Sequence, residues 1–214
     1  MHHNNLEILP GILEKDWDKI EKKLSQTQMF AKSVHVDFID GKFVNNLTFL
    51  DPKPFQKYSD ILLLEAHLMV EEPIDFLAPL AKNGFKRFIG HIEKMSDITA
   101  FVDQGRRLGE VGLALDGPTA INKLNDVHLD NLDCILIYTS DKVGFSGPPM
   151  MDSRLSKIKA LREKTQIPLE ADGGVKDTTI QKVRANGATR FVATSFLWEN
   201  PDPKSAYQDL LSKL

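Results

Sequence analysis

His35 and Asp37 stand two residues apart in the stretch Ser33–Asn46, SVHVDFIDGKFVNN. In a strand, residues two apart share a face. The imidazole and the carboxylate therefore point together, while Val34, Val36 and Phe38 point the other way. Such a pair at a strand end can bind a divalent metal ion or handle a proton. Taken alone, it is equally compatible with a surface His beside a surface Asp. Recurrence favours chemistry. His67, His91 with Glu93, Asp116, Asp172 and Ser195 each fall at the end of another short apolar run. A single interior His is usually a satisfied core residue. Three His (35, 67 and 91) and two Asp (37 and 172) on one rim are costly to bury unless they share a purpose. A shared metal ion is that purpose.

The runs that carry these residues are Leu6–Gly11, Ser33–Asp40, Ile61–Met69, Arg87–Glu93, Glu110–Asp116, Cys134–Ser140, Pro168–Gly174 and Arg190–Ser195. Each is too short for a typical helix, and several are rich in Val, Ile and Leu. Amphipathic segments lie between them. Asp16 reads as the N-cap of a helix with Trp17, Ile20 and Leu24 on one side. Pro73–Gly84 and Asp97–Gly109 read as helices ended by glycine. Asp152–Thr165, Lys176–Gly187 and Pro203–Leu214 complete the set, and Pro52–Tyr58 is a weak, short helix. Eight alternating strand and helix units predict a parallel sheet closed into one (β/α)8 TIM barrel over residues 1–214, with the active site where the strands end.

Composition agrees. The 214 residues are 42% hydrophobic and 27% charged, with a net charge of −3. That suits a globular chain and offers no basic field for nucleic acid. The one cysteine, Cys134, excludes an internal disulfide and fits a reducing compartment. No stretch approaches the roughly 20 apolar residues of a membrane span, and MHHNN is no signal peptide. His2 and His3 read as a terminal remnant rather than a metal site. A cytoplasmic protein without membrane or nucleic-acid partners is expected.

Two further groups flank the rim. Glu65 and Glu170 precede His67 and Asp172 by two residues, so they face inward one layer below. They are candidates to accept the outer N–H of a metal-bound His, or else to meet Lys or Arg at the barrel floor. Gly144, Phe145, Ser146 and Gly147 follow the sixth run, Gly173 and Gly174 the seventh, and Thr194–Ser195 the eighth. Backbone N–H groups there can approach a phosphate closely.

With these residues in hand, the chain resembles the ribulose-phosphate 3-epimerase family over nearly its whole length. His35–Gly41, Phe43-Val44 and Asn46–Thr48 are similar to the family's HVDxMDGxFVPNLT. Ala66–Val70 with Pro73 resembles its VHLM segment, Gly112–Leu115 its GVAL strand, Gly144–Gly147 its GFGG and Ala171–Gly174 its VDGG. The resemblance implies a ribulose-phosphate-binding barrel that epimerises carbon 3 of D-ribulose 5-phosphate and D-xylulose 5-phosphate through an enediolate. That is an isomerase of the pentose phosphate pathway and carbohydrate metabolism. It implies one divalent metal ion (zinc, iron, manganese or cobalt) on His35, Asp37, His67 and Asp172. It implies Asp37 and Asp172 as the two acid/base groups. It places His67 and Met69 against a sugar phosphate held by backbone contacts at residues 144–147, 173–174 and 194–195. A homo-oligomer is expected.

Several positions depart from the family pattern. Gly11 stands where the family has Ser. Ile39, Asn45 and Tyr138 replace Met, Pro and Met. The loop at 141–143 is one residue longer. Pro148 stands where an N–H donor usually follows, and Thr194 replaces Gly. These changes leave the metal ligands whole and alter the pocket. They keep open a six-carbon ketose phosphate such as D-allulose 6-phosphate, with Gly11 and Ile39 making room. A non-catalytic phosphate-binding barrel is the third reading.

Overall fold

The computed structural model describes residues 6–214, so His2 and His3 lie outside the described residues. Eight parallel strands close into a barrel in chain order. They are β1 (Glu7–Ile12), β2 (Ser33–Ile39), β3 (Leu63–Met69), β4 (Phe85–His91), β5 (Glu110–Leu115), β6 (Cys134–Tyr138), β7 (Leu169–Asp172) and β8 (Arg190–Ala193). The strands stop short of several expected run ends. Glu93 lies on a 3-10 turn, Ile92–Lys94, and Asp116 lies in the loop after β5. These polar rim residues leave the ladder because the chain must turn there towards the next helix.

The α-helices are α1 (Trp17–Thr27), α2 (Ile74–Lys82), α3 (Ile98–Leu108), α4 (Asp152–Arg162), α5 (Ile180–Ala185), α6 (Ser195–Trp198) and α7 (Pro203–Lys213). Strand and helix do not alternate strictly. The crossover after β2 is the 3-10 segment Lys53–Tyr58, and that after β5 holds two short 3-10 turns. Residues 176–179 form a turn, so α5 is shorter than its amphipathic pattern predicts. Ser195 opens α6 rather than ending β8, and Thr194 is its N-cap.

Caps account for several boundaries. The Asp97 carboxylate accepts the Ala100 N–H at 2.9 Å and starts α3. Asp202 accepts from Lys204 and Ser205 and starts α7. Asp16 holds the N-cap position of α1 but makes no capping hydrogen bond. Its carboxylate turns instead to Lys19, 3.6 Å away.

The outer face of the barrel packs under the helices. Val34, Val36 and Phe38 of β2 join Ile20 and Leu24 of α1 in the main core. Phe38 meets Phe85 edge-on at 5.4 Å. Inside the barrel, the lining is divided. Ile89, Ala114, Cys134, Leu136 and Tyr138 make an apolar half from β4, β5 and β6. β2, β3 and β7 supply the polar half. At the floor, Arg87 bridges Glu65 (2.8 Å) and Glu110 (2.6 Å), while Arg190 meets Glu7 at 3.2 Å. Among the described residues no helix is long and apolar enough to cross a membrane.

Candidate active site

The register of β2 against β3 builds the site. His35 pairs with Glu65 and Asp37 with His67. Because all four are inward positions of adjacent strands, the side chains meet. Asp172, at the end of β7, reaches the same point. His67 Nδ1 lies 2.9 Å from Asp37 Oδ1 and 3.4 Å from Asp172 Oδ2. His35 Nε2 lies 3.1 Å from His67 Nδ1, 3.3 Å from Asp37 Oδ1 and 3.8 Å from Asp172 Oδ2. The four ligand atoms all fall within 4.8 Å of one another. Metal–ligand bonds of about 2.0–2.2 Å separate neighbouring ligands by about 3–3.5 Å, so the spacing fits a coordination shell. Two imidazole nitrogens with two carboxylate oxygens suit zinc, iron, manganese or cobalt.

The charge pattern is that of a cation site. Burial opposes a charge on His35, but hydrogen bonds with Asp37, Glu170 and Glu65 outweigh it and raise its pKa well above the ordinary value. Burial would also raise Asp37, yet hydrogen bonds from His35 and His67 hold it down at about 2. Asp172 is pushed up to about 8, by burial and then by the charge on Asp37. Burial, reinforced by the charge on His35, lowers His67 to about 4 despite its bond to Asp37.

The outer nitrogens of both imidazoles are also held. His35 Nδ1 lies 2.5 Å from Glu65 Oε1 and 3.3 Å from Glu170 Oε1. Glu65 thus fills both roles open to it, since its other oxygen accepts from Arg87. Glu170 also faces His35, and burial with the neighbouring Glu65 pushes it up to about 7. Neither carboxylate serves His67. Its Nε2 lies 3.0 Å from His91 Nε2, and His91 Nδ1 lies 3.0 Å from Glu93 Oε2. Glu93 Oε1 in turn accepts the Asp116 N–H at 2.8 Å. The donors then run one way, from His67 through His91 to Glu93, and leave His67 Nδ1 with a lone pair for a metal. His91 and Asp116 are therefore not in the ligand cluster. His91 stands behind it, and the Asp116 backbone anchors Glu93. The signal was the H-x-E spacing in residues 91–93, which parallels H-x-D in 35–37.

Above the cluster lies a cleft. Asp37, Met69, Gly144–Gly147, Asp172–Gly174, Thr194 and Ser195 all border it. So do Tyr138 and Pro148, two of the departures from the family pattern, and Leu13, Val175 and Val192, which the sequence did not single out. Of the four prospective ligands, only Asp37 and Asp172 border the cleft. His67, also expected against the substrate, lies beneath with His35. The glycine loops carry the left-handed backbone that anion cradles use, with φ of 101° at Gly147 and 109° at Gly173. The Tyr138 hydroxyl donates to the carbonyls of Lys142 (3.1 Å) and Phe145 (3.3 Å) and pins the 141–147 loop. Asn46 Nδ2 donates to the Gly144 carbonyl at 2.7 Å, tying the loop after β2 to the same segment. The room expected at Gly11 is filled: a Cβ there would lie 2.1 Å from Thr194 Oγ1.

Comparison with known proteins adds identity to geometry. The model of the Ribulose-phosphate 3 epimerase family matches residues 7–198. The ribulose-phosphate 3-epimerase of Escherichia coli (strain K12) is 31% identical over 97% of this chain and 95% of its own. The cytoplasmic isoform from Oryza sativa subsp. japonica is 31% identical over 92% of this chain and 89% of its own. Among solved structures, 3-hexulose-6-phosphate synthase from Salmonella typhimurium superposes with a TM-score of 0.71 at 10% identity, covering 98% of both chains. That likeness supports the barrel fold.

Proposed function

The chain belongs to the ribulose-phosphate 3-epimerase family, a family of isomerase-class enzymes, and from that premise we propose that it inverts carbon 3 of a ketopentose phosphate, interconverting D-ribulose 5-phosphate and D-xylulose 5-phosphate. The observation that carries the reading is the placement of Asp37 and Asp172. They are the two members of the buried cluster that border the cleft. Inversion beside a carbonyl needs a base on one face of the carbon and an acid on the other. The environments of the pair push it apart, to about 2 for Asp37 and about 8 for Asp172. The two side chains thus stand in unlike environments, as an acid/base pair must.

His35, Asp37, His67 and Asp172 would hold the metal ion, which when bound supplies positive charge against the negative charge developing on substrate oxygens. The chain's own groups move the proton. One Asp removes it from carbon 3 and leaves an enediolate. The other returns a proton to the opposite face. Residues 144–147 and 173–174 would hold the phosphate through backbone N–H groups, with Thr194 and Ser195 where β8 passes into α6. Met69 on the cleft wall would cover the sugar and exclude water.

The five-carbon substrate is favoured over a ketohexose phosphate. Extra room at Gly11 was the argument for a sixth carbon, and the Thr194 side chain takes that room. Ile39 does not border the cleft, so it gives no direct room for a sixth carbon. The test is turnover of D-ribulose 5-phosphate and D-allulose 6-phosphate by metal-loaded protein. The reading expects kcat/KM to favour the pentose. Tight binding of both without turnover would instead support the non-catalytic barrel.

A further inference from the structure

Gly11 and Thr194 form a matched pair across the seam where β8 meets β1. Pro10 is the register partner of Ala193, so the next residues along each strand, Gly11 and Thr194, stand side by side. A Cβ on Gly11 would lie 2.1 Å from Thr194 Oγ1 and 3.0 Å from Val192 Cγ1. Glycine at 11 is therefore the condition for the Thr194 hydroxyl to stand where it does. The main chain at 11 cannot easily retreat, because its carbonyl accepts the Trp198 indole N–H at 2.6 Å.

The hydroxyl has no protein task. Thr194 is the N-cap residue of α6, yet its side chain makes no capping hydrogen bond. Among the described residues it takes part in no other side-chain hydrogen bond. It borders the cleft together with Asp37 and Asp172. Gly11 is also the register partner of His35. A group at the side-chain position of Gly11 thus stands level with the ligand cluster, below the glycine loops of the phosphate end. A part-buried hydroxyl with free donor and acceptor capacity at that depth gains when a ligand oxygen completes it.

We propose that the Thr194 hydroxyl is a specificity-determining contact to a hydroxyl or carbonyl oxygen on the carbon chain of the bound sugar phosphate, delivered from β8 through the space that Gly11 leaves in β1. The proposal rests on the sugar-phosphate reading above and adds a side-chain contact distinct from the backbone phosphate cradle. It also accounts for two departures from the family pattern as one event. The hydroxyl missing from position 11 is resupplied from position 194.

The test compares Thr194→Val, Thr194→Ser, Thr194→Gly, Gly11→Ala and the double variant Gly11→Ser/Thr194→Gly. Two readouts are used: kcat/KM with D-ribulose 5-phosphate, and the Kd of ribitol 5-phosphate, which has no carbonyl and cannot turn over. One lost neutral hydrogen bond corresponds to about three- to tenfold. Thr194→Val keeps the shape and removes the hydroxyl. It should weaken ribitol 5-phosphate binding and lower kcat/KM by that factor, with melting temperature and bound metal little changed. Thr194→Ser should stay within about twofold of wild type. Gly11→Ala should behave like Thr194→Val, because the new methyl displaces the hydroxyl. The double variant should bind more tightly than Thr194→Gly, since serine at 11 returns an oxygen to the same place. A Thr194→Val variant with wild-type Kd overturns the assignment, as does a Thr194→Ser variant as weak as Thr194→Val. Because the Kd is read without turnover, failure of the epimerase reading shows separately, as a wild type that never converts the ketopentose phosphate.

Discussion

Burial does not strip His35 of its proton. The imidazole stands among Asp37, Glu65 and Glu170, and their hydrogen bonds overcome the cost of burying its charge. Asp172 holds a second proton, with its pKa near 8. To hold a divalent ion, His35 would have to be a neutral imidazole and Asp172 an ionised carboxylate, so both protons would leave. The sign follows. Below the raised pKa values of His35 and Asp172, protons compete with the ion, so metal affinity rises with pH through neutrality. Asp37 is already ionised and His67 already neutral at pH 7. Calorimetric titration with zinc at pH 7, repeated in buffers of different ionisation enthalpy, should show release of about two protons per ion. Release of none would mean that the ion binds elsewhere. At this scale the sequence was readable where residue type and spacing carry the message. H-x-D in 35–37 puts an imidazole and a carboxylate on one face. Nothing in the sequence says that His35 would be charged, because that depends on three carboxylates from three strands.

Strand register decides which neighbours those residues acquire. β2 and β3 run in step, so His35 meets Glu65 and Asp37 meets His67. β4 places His91 one inward position beyond Ile89, the partner of His67, and there it reaches His67 Nε2. Partners behind a metal-bound His typically change affinity by about 10- to 100-fold when removed. His91→Ala should therefore weaken zinc binding by that order, and Glu93→Ala should do the same more mildly, both in a folded barrel. Competition against a chromogenic chelator measures it. Affinity unchanged in both variants would show that the relay does not orient His67. The two-residue period revealed that His91 and Glu93 share a face, but not that they stand behind His67, since that needs the β3–β4 register. Element ends were also hidden where composition does not change. Ser195–Trp198 continues the apolar run of β8, so the start of α6 is marked only by backbone geometry. The amphipathic pattern of 176–187 extends past the true helix because residues 176–179 turn first.

The closed barrel gathers these parts. Eight strands in chain order leave β2 and β7 three steps apart around the ring, by way of β1 and β8. Asp37 and Asp172 therefore reach the axis from different directions, over an interior whose opposite half is apolar. The alternation of apolar runs made the barrel legible, because runs buried on both faces with crossovers between them have few other solutions. The Gly11–Thr194 seam was not legible, since it joins the first strand to the last. The central claim is that two carboxylates on one metal cluster work on opposite faces of carbon 3. The direct measurement is carbon-3 proton exchange in deuterium oxide by Asp37→Asn and Asp172→Asn, with metal content determined for each. Each variant should fail to interconvert D-ribulose 5-phosphate and D-xylulose 5-phosphate, yet exchange the carbon-3 proton of one of them, and the two variants should choose opposite epimers. A metal-replete variant that still interconverts the epimers at near the wild-type rate would contradict the account.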